Sequence, residues 1–149
     1  MQRLCKTLLV LLCIVTLAAC NAPPTYQDGT YSAEFKDFDS YGYKEYMIVT
    51  VSGGEITDLV YNAVNEEGVL RTQDEKYQQN MESVVDTYPE KYTGDLINQF
   101  MDEQDISRVD IIAGATWSSE SFKALFIALE AHMTSGDTTA LRVDNVPEK

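Results

Sequence analysis

The segment DIIAGATWSS, residues 110–119, contains the residue types in this chain that are best suited to hold a ligand. The small residues Ala113, Gly114 and Ala115 precede Thr116, and apolar residues at helical spacing follow. The first N–H groups of a helix lack partners within the helix and carry the positive end of its dipole. A loop without bulky side chains that enters a helix is therefore a typical phosphate site. The pattern predicts a phosphate-binding turn with Thr116 at the helix start.

A structural interpretation of the same segment stays open on spacing alone. Serine and threonine are common helix N-caps, so Thr116 or Ser118 could simply cap the helix. Trp117 could stack against a ligand ring, or it could brace the helix entry through apolar contacts. The candidates for lining a pocket where the sheet meets the helix are Tyr41, Tyr43, Tyr61 and Asn62.

Other kinds of site are not indicated. A threonine hydroxyl is a weak nucleophile at neutral pH and needs a base, and His132, the only histidine, falls late in the last predicted helix. We therefore do not expect the protein to modify itself. The chain contains no P-loop, zinc signature or serine–histidine–acid pattern. Asp37 with Asp39, and the carboxylates of residues 65–67, lack a calcium-loop pattern and are predicted to lie in solvated turns without a metal.

An antiparallel sheet is predicted ahead of the turn. Tyr31, Ala33 and Phe35 alternate with polar residues, as in a half-buried strand. Residues 46–52 and 55–64 are rich in β-branched and aromatic residues, and the glycine pair between them is a typical two-residue hairpin turn. These segments predict at least three strands, and residues 137–149 are either a tail or an edge strand.

Three helices are predicted to pack against this sheet. Thr72 and Glu75 fit a capping box at the start of the first, Pro89 can begin the second, and Gly136 lies beyond the end of the third. The predicted buried stripes are Tyr77, Met81, Val84 and Val85; then Tyr92, Leu96 and Phe100; then Phe122, Leu125, Phe126 and Leu129. The predicted fold is a single α+β domain over residues 29–136, with a small antiparallel sheet packed against about three helices.

The first nineteen residues are typical of a secretory leader. Arg3 and Lys6 precede an apolar run that is shorter than the roughly 20 residues of a spanning helix. Residues 17–20, Leu-Ala-Ala-Cys, resemble the lipobox of bacterial lipoproteins, which implies a lipid on Cys20 and an anchor on the extracytoplasmic side of the cell membrane. Residues 20–28 would then be the lipidated cysteine and a tether. An ordinary leader followed by a chance cysteine is the alternative.

The charge balance limits the partners. Eleven basic and 24 acidic residues give a formal net charge of −13, and removal of Arg3 and Lys6 would leave nine basic residues and a charge of about −15. Such a surface repels nucleic acid and anionic lipid headgroups. We therefore expect no nucleic-acid partner.

Residues 110–116, DIIAGAT, resemble the flavinylation motif Asp-x-x-(Ser/Thr)-Gly-Ala-Thr of the FMN-binding domain family. That family includes subunits of sodium-translocating NADH:quinone reductases and flavin-bearing surface lipoproteins. The similarity extends to residues 28–31, to the hairpin at residues 49–56 and to the helix after the motif, so it covers nearly all of the mature chain. Ala113 departs from the motif, where serine or threonine is usual.

The resemblance implies that Thr116 carries FMN through a phosphoester. Gly114 and Ala115 would let the phosphate approach the backbone, and Asp110 is the acidic position of the motif. A separate magnesium-dependent flavin transferase, which moves FMN from FAD, is implied as a partner. Non-covalent FMN in the same site remains open. The candidate cofactor-binding residues are Asp110, Ala113, Gly114, Ala115, Thr116, Trp117 and Ser118.

By the same resemblance, we expect a lipid-anchored electron carrier rather than a stand-alone enzyme. Its donor would be a membrane quinol or a reductase, and its acceptor an external oxidant or a neighbouring flavoprotein. Two alternatives stay open: a lipoprotein that binds or stores FMN without electron traffic, and a surface immunogen or adhesin without a cofactor.

Overall fold

A four-stranded sheet organises the protein, of which a computed structural model describes residues 25–147. Its strands are β1 (Gly29–Phe35), β2 (Tyr43–Ser52), β3 (Glu55–Asn65) and β4 (Leu141–Val143). Their order is β3-β2-β1-β4, with antiparallel pairs except for β4, which runs parallel to β1. The α+β fold is therefore confirmed, and the tail contributes a parallel edge strand to an otherwise antiparallel sheet. The predicted leader and Cys20 lie outside the described residues.

Alternation along β2 decides which face of the sheet carries the core. Tyr43, Met47, Val49 and Val51 are buried, whereas the residues of the opposite face, Lys44, Tyr46, Ile48 and Thr50, are only partly buried. Because successive side chains of a strand point to opposite faces, the buried set forms one face. Glu45 belongs to the same face and is fully buried, which makes it the exception in an apolar row.

The predicted hairpin joins β2 to β3. Gly53 and Gly54 have φ angles of 67° and 81°, which the tight hairpin turn requires and which glycine adopts without strain. The Asp28 carboxylate accepts a hydrogen bond from the Gly54 N–H at 2.9 Å, and these turn N–H groups lower the pKa of Asp28. The Gln27 N–H donates to the carbonyl of Met133 at 2.8 Å. The end of the predicted tether thus contacts the domain.

The first helix, α1 (Glu75–Glu82), differs from its prediction at both ends. Its N-cap is Asp74, whose carboxylate accepts from the Tyr77 N–H at 2.9 Å, so the capping box led by Thr72 is wrong. Thr72 lies in the 3-10 turn Arg71–Gln73, and its hydroxyl accepts from the Asn62 amide. The helix also ends before Val84, whose side chain is 81% exposed rather than buried.

The other two helices follow their predicted stripes. Helix α2 (Pro89–Glu103) begins at its proline, and α3 (Thr116–Ser135) ends at Gly136, whose φ of 77° is the usual left-handed helix cap. The short 3-10 turn Ile106–Arg108 lies between them. The buried residues that the two helices share with the sheet include Tyr92, Leu96, Phe100, Phe122, Leu125, Phe126 and Leu129. No helix within residues 25–147 is long and apolar enough to span a membrane.

Candidate functional site

The turn before α3 is built around Gly114. The Ala115 N–H donates to the Ile112 carbonyl at 2.9 Å, and Gly114 has a φ of 81°. A Cβ added at Gly114 would lie 3.0 Å from Cβ of Val85 and 3.1 Å from Cγ2 of Thr87. The loop between α1 and α2 therefore packs directly on this turn, and only glycine satisfies both its φ angle and its space.

Two side chains hold the turn in place. The buried Ser119 hydroxyl donates to the Ala115 carbonyl at 2.9 Å and accepts from the Ile112 N–H at 3.1 Å. The Asp110 N–H donates to the Gln99 side chain of α2 at 2.8 Å, while Asp110 itself is exposed. Ser119 and Gln99 are not among the predicted site residues. The signal for Ser119 is its place four residues after Ala115, the spacing of one helical turn.

Thr116 is the first residue of α3 and is exposed. The N-cap position belongs to Ala115, and no side chain caps the helix. Ser118 is buried, its hydroxyl lies 3.5 Å from an Arg71 nitrogen, and its carbonyl accepts from the Tyr61 hydroxyl. The interpretation of Thr116 or Ser118 as a plain cap is therefore wrong. The N–H groups of residues 116–118 have no acceptor within the helix and no capping side chain.

A pocket of about 580 Å³ opens beside Thr116. This is within the range of roughly 300 to 1,000 Å³ that is typical of small-molecule sites. The buried residues of its lining are Asp39, Arg71, Tyr92, Ala115 and Ser118. We call the first three, which lie outside residues 110–119, the pocket floor. The predicted site residues that line the pocket are Gly114, Ala115, Thr116, Trp117 and Ser118; Asp110 and Ala113 do not.

The pocket floor contains a buried ion-pair network. The Arg71 guanidinium contacts the carboxylate of Asp39 at 3.2 Å and that of Glu45, and all three side chains are at most 3% exposed. The central carbon of the Arg71 guanidinium, Cζ, also lies 5.7 Å from the ring centre of Tyr43. The prediction that Asp39 lies in a solvated turn is wrong, because Arg71 and the N–H groups of Tyr41 and Tyr43 hold its carboxylate inside.

Neither Glu45 nor Arg71 is among the residues predicted for the site. The alternation of β2 could have indicated Glu45. It lies two residues from both Tyr43 and Met47, so it would fall on the core face of a strand extended to residue 43. Burial raises the pKa of Glu45 against the pull of Arg71. Burial alone would lower the pKa of Arg71, but Glu45 and the nearby tyrosines outweigh it and raise that pKa, so Arg71 stays charged.

Trp117 makes the contacts expected of a residue that braces the helix entry. Its ring centre lies 6.3 Å from that of Phe35, and its indole N–H donates to the Val146 carbonyl at 3.3 Å, so it braces the helix entry against β1 and the tail. It also borders the pocket. Of the predicted lining tyrosines, only Tyr41 reaches this pocket; Tyr61 and Asn62 bond to Ser118 and Thr72 instead.

A second cavity, of about 570 Å³, adjoins the first through Tyr41, Tyr77 and Asn80. Tyr77 stacks edge-on against both Tyr41 and Tyr43 and so forms part of the wall between the cavities. The Tyr43 hydroxyl donates to the Asp74 carboxylate at 2.6 Å in the second cavity. Glu66 and Glu67 lie exposed at its rim.

Metal ligands and bases are scarce near Thr116. Within residues 25–147, no group of three or more histidine, cysteine, aspartate or glutamate side chains is placed to hold a metal ion. His132 lies near the other end of α3, about 24 Å along the axis at 1.5 Å per residue, with its Nδ1 3.0 Å from the Asp137 carbonyl. Among the described residues, the charged side chains that line the pocket are Asp39 and Arg71, and they are paired with each other.

Comparisons with known proteins identify the family of this chain and two similar proteins. The model of the FMN-binding domain family matches residues 41–128, more than half of the chain. The "15 kDa lipoprotein" of Treponema pallidum (strain Nichols) is 32% identical over 130 residues, which cover 87% of this chain and 92% of the relative. The crystal structure of the CPE2226 protein from Clostridium perfringens is similar, with a TM-score of 0.76 and 33% identity, covering 81% of this chain and 99% of that one. The family match includes Thr116 and the pocket floor residues Arg71 and Tyr92.

Proposed function

Because the chain belongs to the FMN-binding domain family, we propose that its pocket holds FMN through a phosphoester on Thr116 and that the protein carries electrons outside the cytoplasm. The observation that supports this most directly is the state of Thr116. Thr116 is an exposed residue at the start of α3, beside a pocket of ligand size and next to N–H groups that have no acceptor within the helix. These groups fit a phosphate, since helix starts favour anions.

The chain's own contribution would be to fix the attachment point. Gly114 gives the turn its shape, and Ser119 ties Ile112 to Ala115, so Thr116 is presented from a rigid turn rather than from a loose loop. When bound, FMN supplies the redox chemistry, and the protein supplies orientation and electrostatics. Tyr41, which borders the same pocket, is 72% exposed, which supports electron exchange near the surface.

A separate enzyme would have to attach the FMN. Within residues 25–147, no unpaired carboxylate and no histidine borders the pocket, so the Thr116 hydroxyl lacks the activation that a nucleophile needs. We propose a magnesium-dependent flavin transferase that uses FAD. Asp110 and Ala113 are exposed and lie outside the pocket lining, so they are available to such an enzyme. The missing hydroxyl at Ala113 leaves the pocket wall unchanged.

Membrane attachment would place the carrier next to its donor. The relative in Treponema pallidum is named a lipoprotein, and residues 17–20 of this chain resemble a lipobox that ends in Cys20. We propose a lipid on Cys20, an extracytoplasmic domain, a membrane quinol or reductase as donor, and an external acceptor. The acidic surface disfavours nucleic acid as a partner.

The test is co-expression with a flavin transferase and FAD, followed by intact-mass measurement of the mature chain. We expect one FMN adduct and a fluorescent band on a denaturing gel. Thr116→Val should lose the adduct and Thr116→Ser should keep it. Thr139→Val, which changes another exposed threonine that lies outside the pocket, is the matched control and should keep it.

The outcomes separate the possible functions. No adduct in the parent, or an equal adduct in Thr116→Val, would contradict the covalent attachment. Yellow colour that disappears on denaturation would indicate non-covalent FMN. If loaded and reduced protein passes no electrons to quinone analogues or ferric complexes, flavin storage replaces electron transfer.

A further inference from the structure

Arg71 is the only basic side chain among the described residues that line the pocket. Its guanidinium is 3% exposed, whereas Thr116 at the same pocket is exposed. A molecule that is joined to Thr116 by its phosphate and fills this pocket would have Arg71 in the wall around it. The position of this cation calls for an explanation beyond stability, because a buried ion pair adds little stability compared with apolar residues of the same size.

The network behind Arg71 fixes the guanidinium at the pocket floor. Asp39 and Glu45 pair with it, and the Tyr43 ring lies against it. Asp39 borders the pocket, but Glu45 does not. Charges that are removed from water act more strongly on their neighbours than exposed charges do. A change at Glu45 would therefore alter the electrostatics of the pocket without changing its lining.

We propose that Arg71 contacts the flavin ring from the pocket floor and makes the bound FMN easier to reduce. This inference rests on the proposed function. Two electrons from the donor and one proton from solvent leave the ring with one added negative charge. Arg71 stabilises that charge, while Glu45 opposes it from behind. Charge near the ring is one of the means by which a protein tunes a flavin.

The midpoint potential of the flavin-loaded full chain tests this assignment, by titration with dithionite and reference dyes. In Arg71→Met the potential should fall and in Glu45→Gln it should rise, each by about tenfold in the equilibrium constant, or about 30 mV for a two-electron couple. Arg71→Lys should lie closer to the parent than Arg71→Met does. Arg142→Met removes an exposed arginine of β4 that pairs with Glu34 and should leave the potential unchanged.

The opposite signs separate tuning from a structural role, since removal of a positive and of a negative charge must shift the potential in opposite directions, whereas loosened packing around the same ion pair would not depend on the sign of the charge removed. Should Arg71→Met fail to fold, the double variant Arg71→Met/Glu45→Gln retains a single buried carboxylate and should still fall below Glu45→Gln. Equal potentials in all variants, or a fall in Glu45→Gln, would overturn the assignment.

The intact mass and the colour of the parent protein distinguish failure of the Arg71 assignment from failure of the proposed function. If the parent carries FMN, covalently or not, and the potentials do not move, only the role of Arg71 is lost. If the parent carries no FMN by either route, the proposed function and this inference fail together.

Discussion

At the scale of single residues, the motif around Thr116 could be predicted, but the pocket floor could not. Residues 110–116 are contiguous, so their pattern is visible in the sequence. Arg71 pairs with Asp39 and Glu45 across 32 and 26 positions of the chain, and only the fold brings them together. A carboxylate in a solvated turn and one that balances a buried cation look the same in sequence, which is why the sequence predicts a solvated turn at Asp39.

Gly114 provides a residue-scale prediction about the turn. Gly114→Ala should lower the free energy of unfolding by about 1 to 3 kcal/mol, because a non-glycine residue at positive φ is strained and the new Cβ would crowd Val85 and Thr87. Gly94→Ala is the control, since its Cβ meets nothing within 4 Å inside α2, and it should stabilise by about 0.5 to 1 kcal/mol. Urea unfolding followed by circular dichroism measures both. Equal effects of the two substitutions would contradict the packing of Gly114 described above.

At the scale of elements, the helices with long apolar stripes could be predicted, and the short one could not be predicted in detail. Helices α2 and α3 bury side chains at regular helical spacing. Helix α1 has no buried residue, so local polar contacts set its limits instead. Thr72 and Asp74 are both acceptable caps by residue type. The contacts of Asp74 with Tyr43 and of Thr72 with Asn62, which come from other elements, decide between them.

The cap of α1 gives a prediction at this scale. Asp74→Ala should lower the free energy of unfolding by about 1 kcal/mol, the usual value of an N-cap, and Thr72→Ala should cost less. Hydrogen bonds from Tyr43 and Tyr77 lower the pKa of Asp74 below its ordinary 3.8. A lowered carboxyl pKa stabilises the folded state above the ordinary value, and this contribution disappears as the pH falls through the folded pKa.

Urea midpoints at neutral pH and in acid test both statements. In Asp74→Asn, part of the stability loss that the parent shows below pH 3.8 should be absent, because the amide does not titrate there. If Thr72→Ala lowers the free energy of unfolding more than Asp74→Ala does, Thr72 rather than Asp74 would be the N-cap of α1.

At the scale of the whole molecule, the C-terminal tail adds the edge strand β4 to the sheet. Leu141 and Val143 of β4 and Val146 pack against the core, and β4 covers the edge of β1 from Ala33 to Phe35. The sequence leaves residues 137–149 as an edge strand or a loose tail, because three residues of strand are too short for a clear pattern of alternation. The parallel direction depends on where α3 ends relative to β1, which no local pattern encodes. Covering an edge also protects its N–H and C=O groups from pairing with another chain.

Removal of residues 141–149 should therefore affect both stability and assembly. The truncated domain should unfold at lower urea and should dimerise or aggregate through the uncovered edge of β1. Trp117, the only tryptophan in the chain, would lose its bond to the Val146 carbonyl, so its emission should shift to longer wavelength.

Asp144→Asn provides the matched control for this truncation. It removes only the exposed pair between Lys36 and Asp144, at 2.7 Å, and such surface pairs contribute about 0 to 1 kcal/mol. The elution volume in size-exclusion chromatography, the urea midpoint and the tryptophan emission of this variant should all be close to those of the parent. A truncated chain that stays monomeric with the parent's emission and midpoint would show that the tail is dispensable. The edge of β1 would then have to be protected by its own side chains, since strands that lack a covering element need charges or bulges to stay apart.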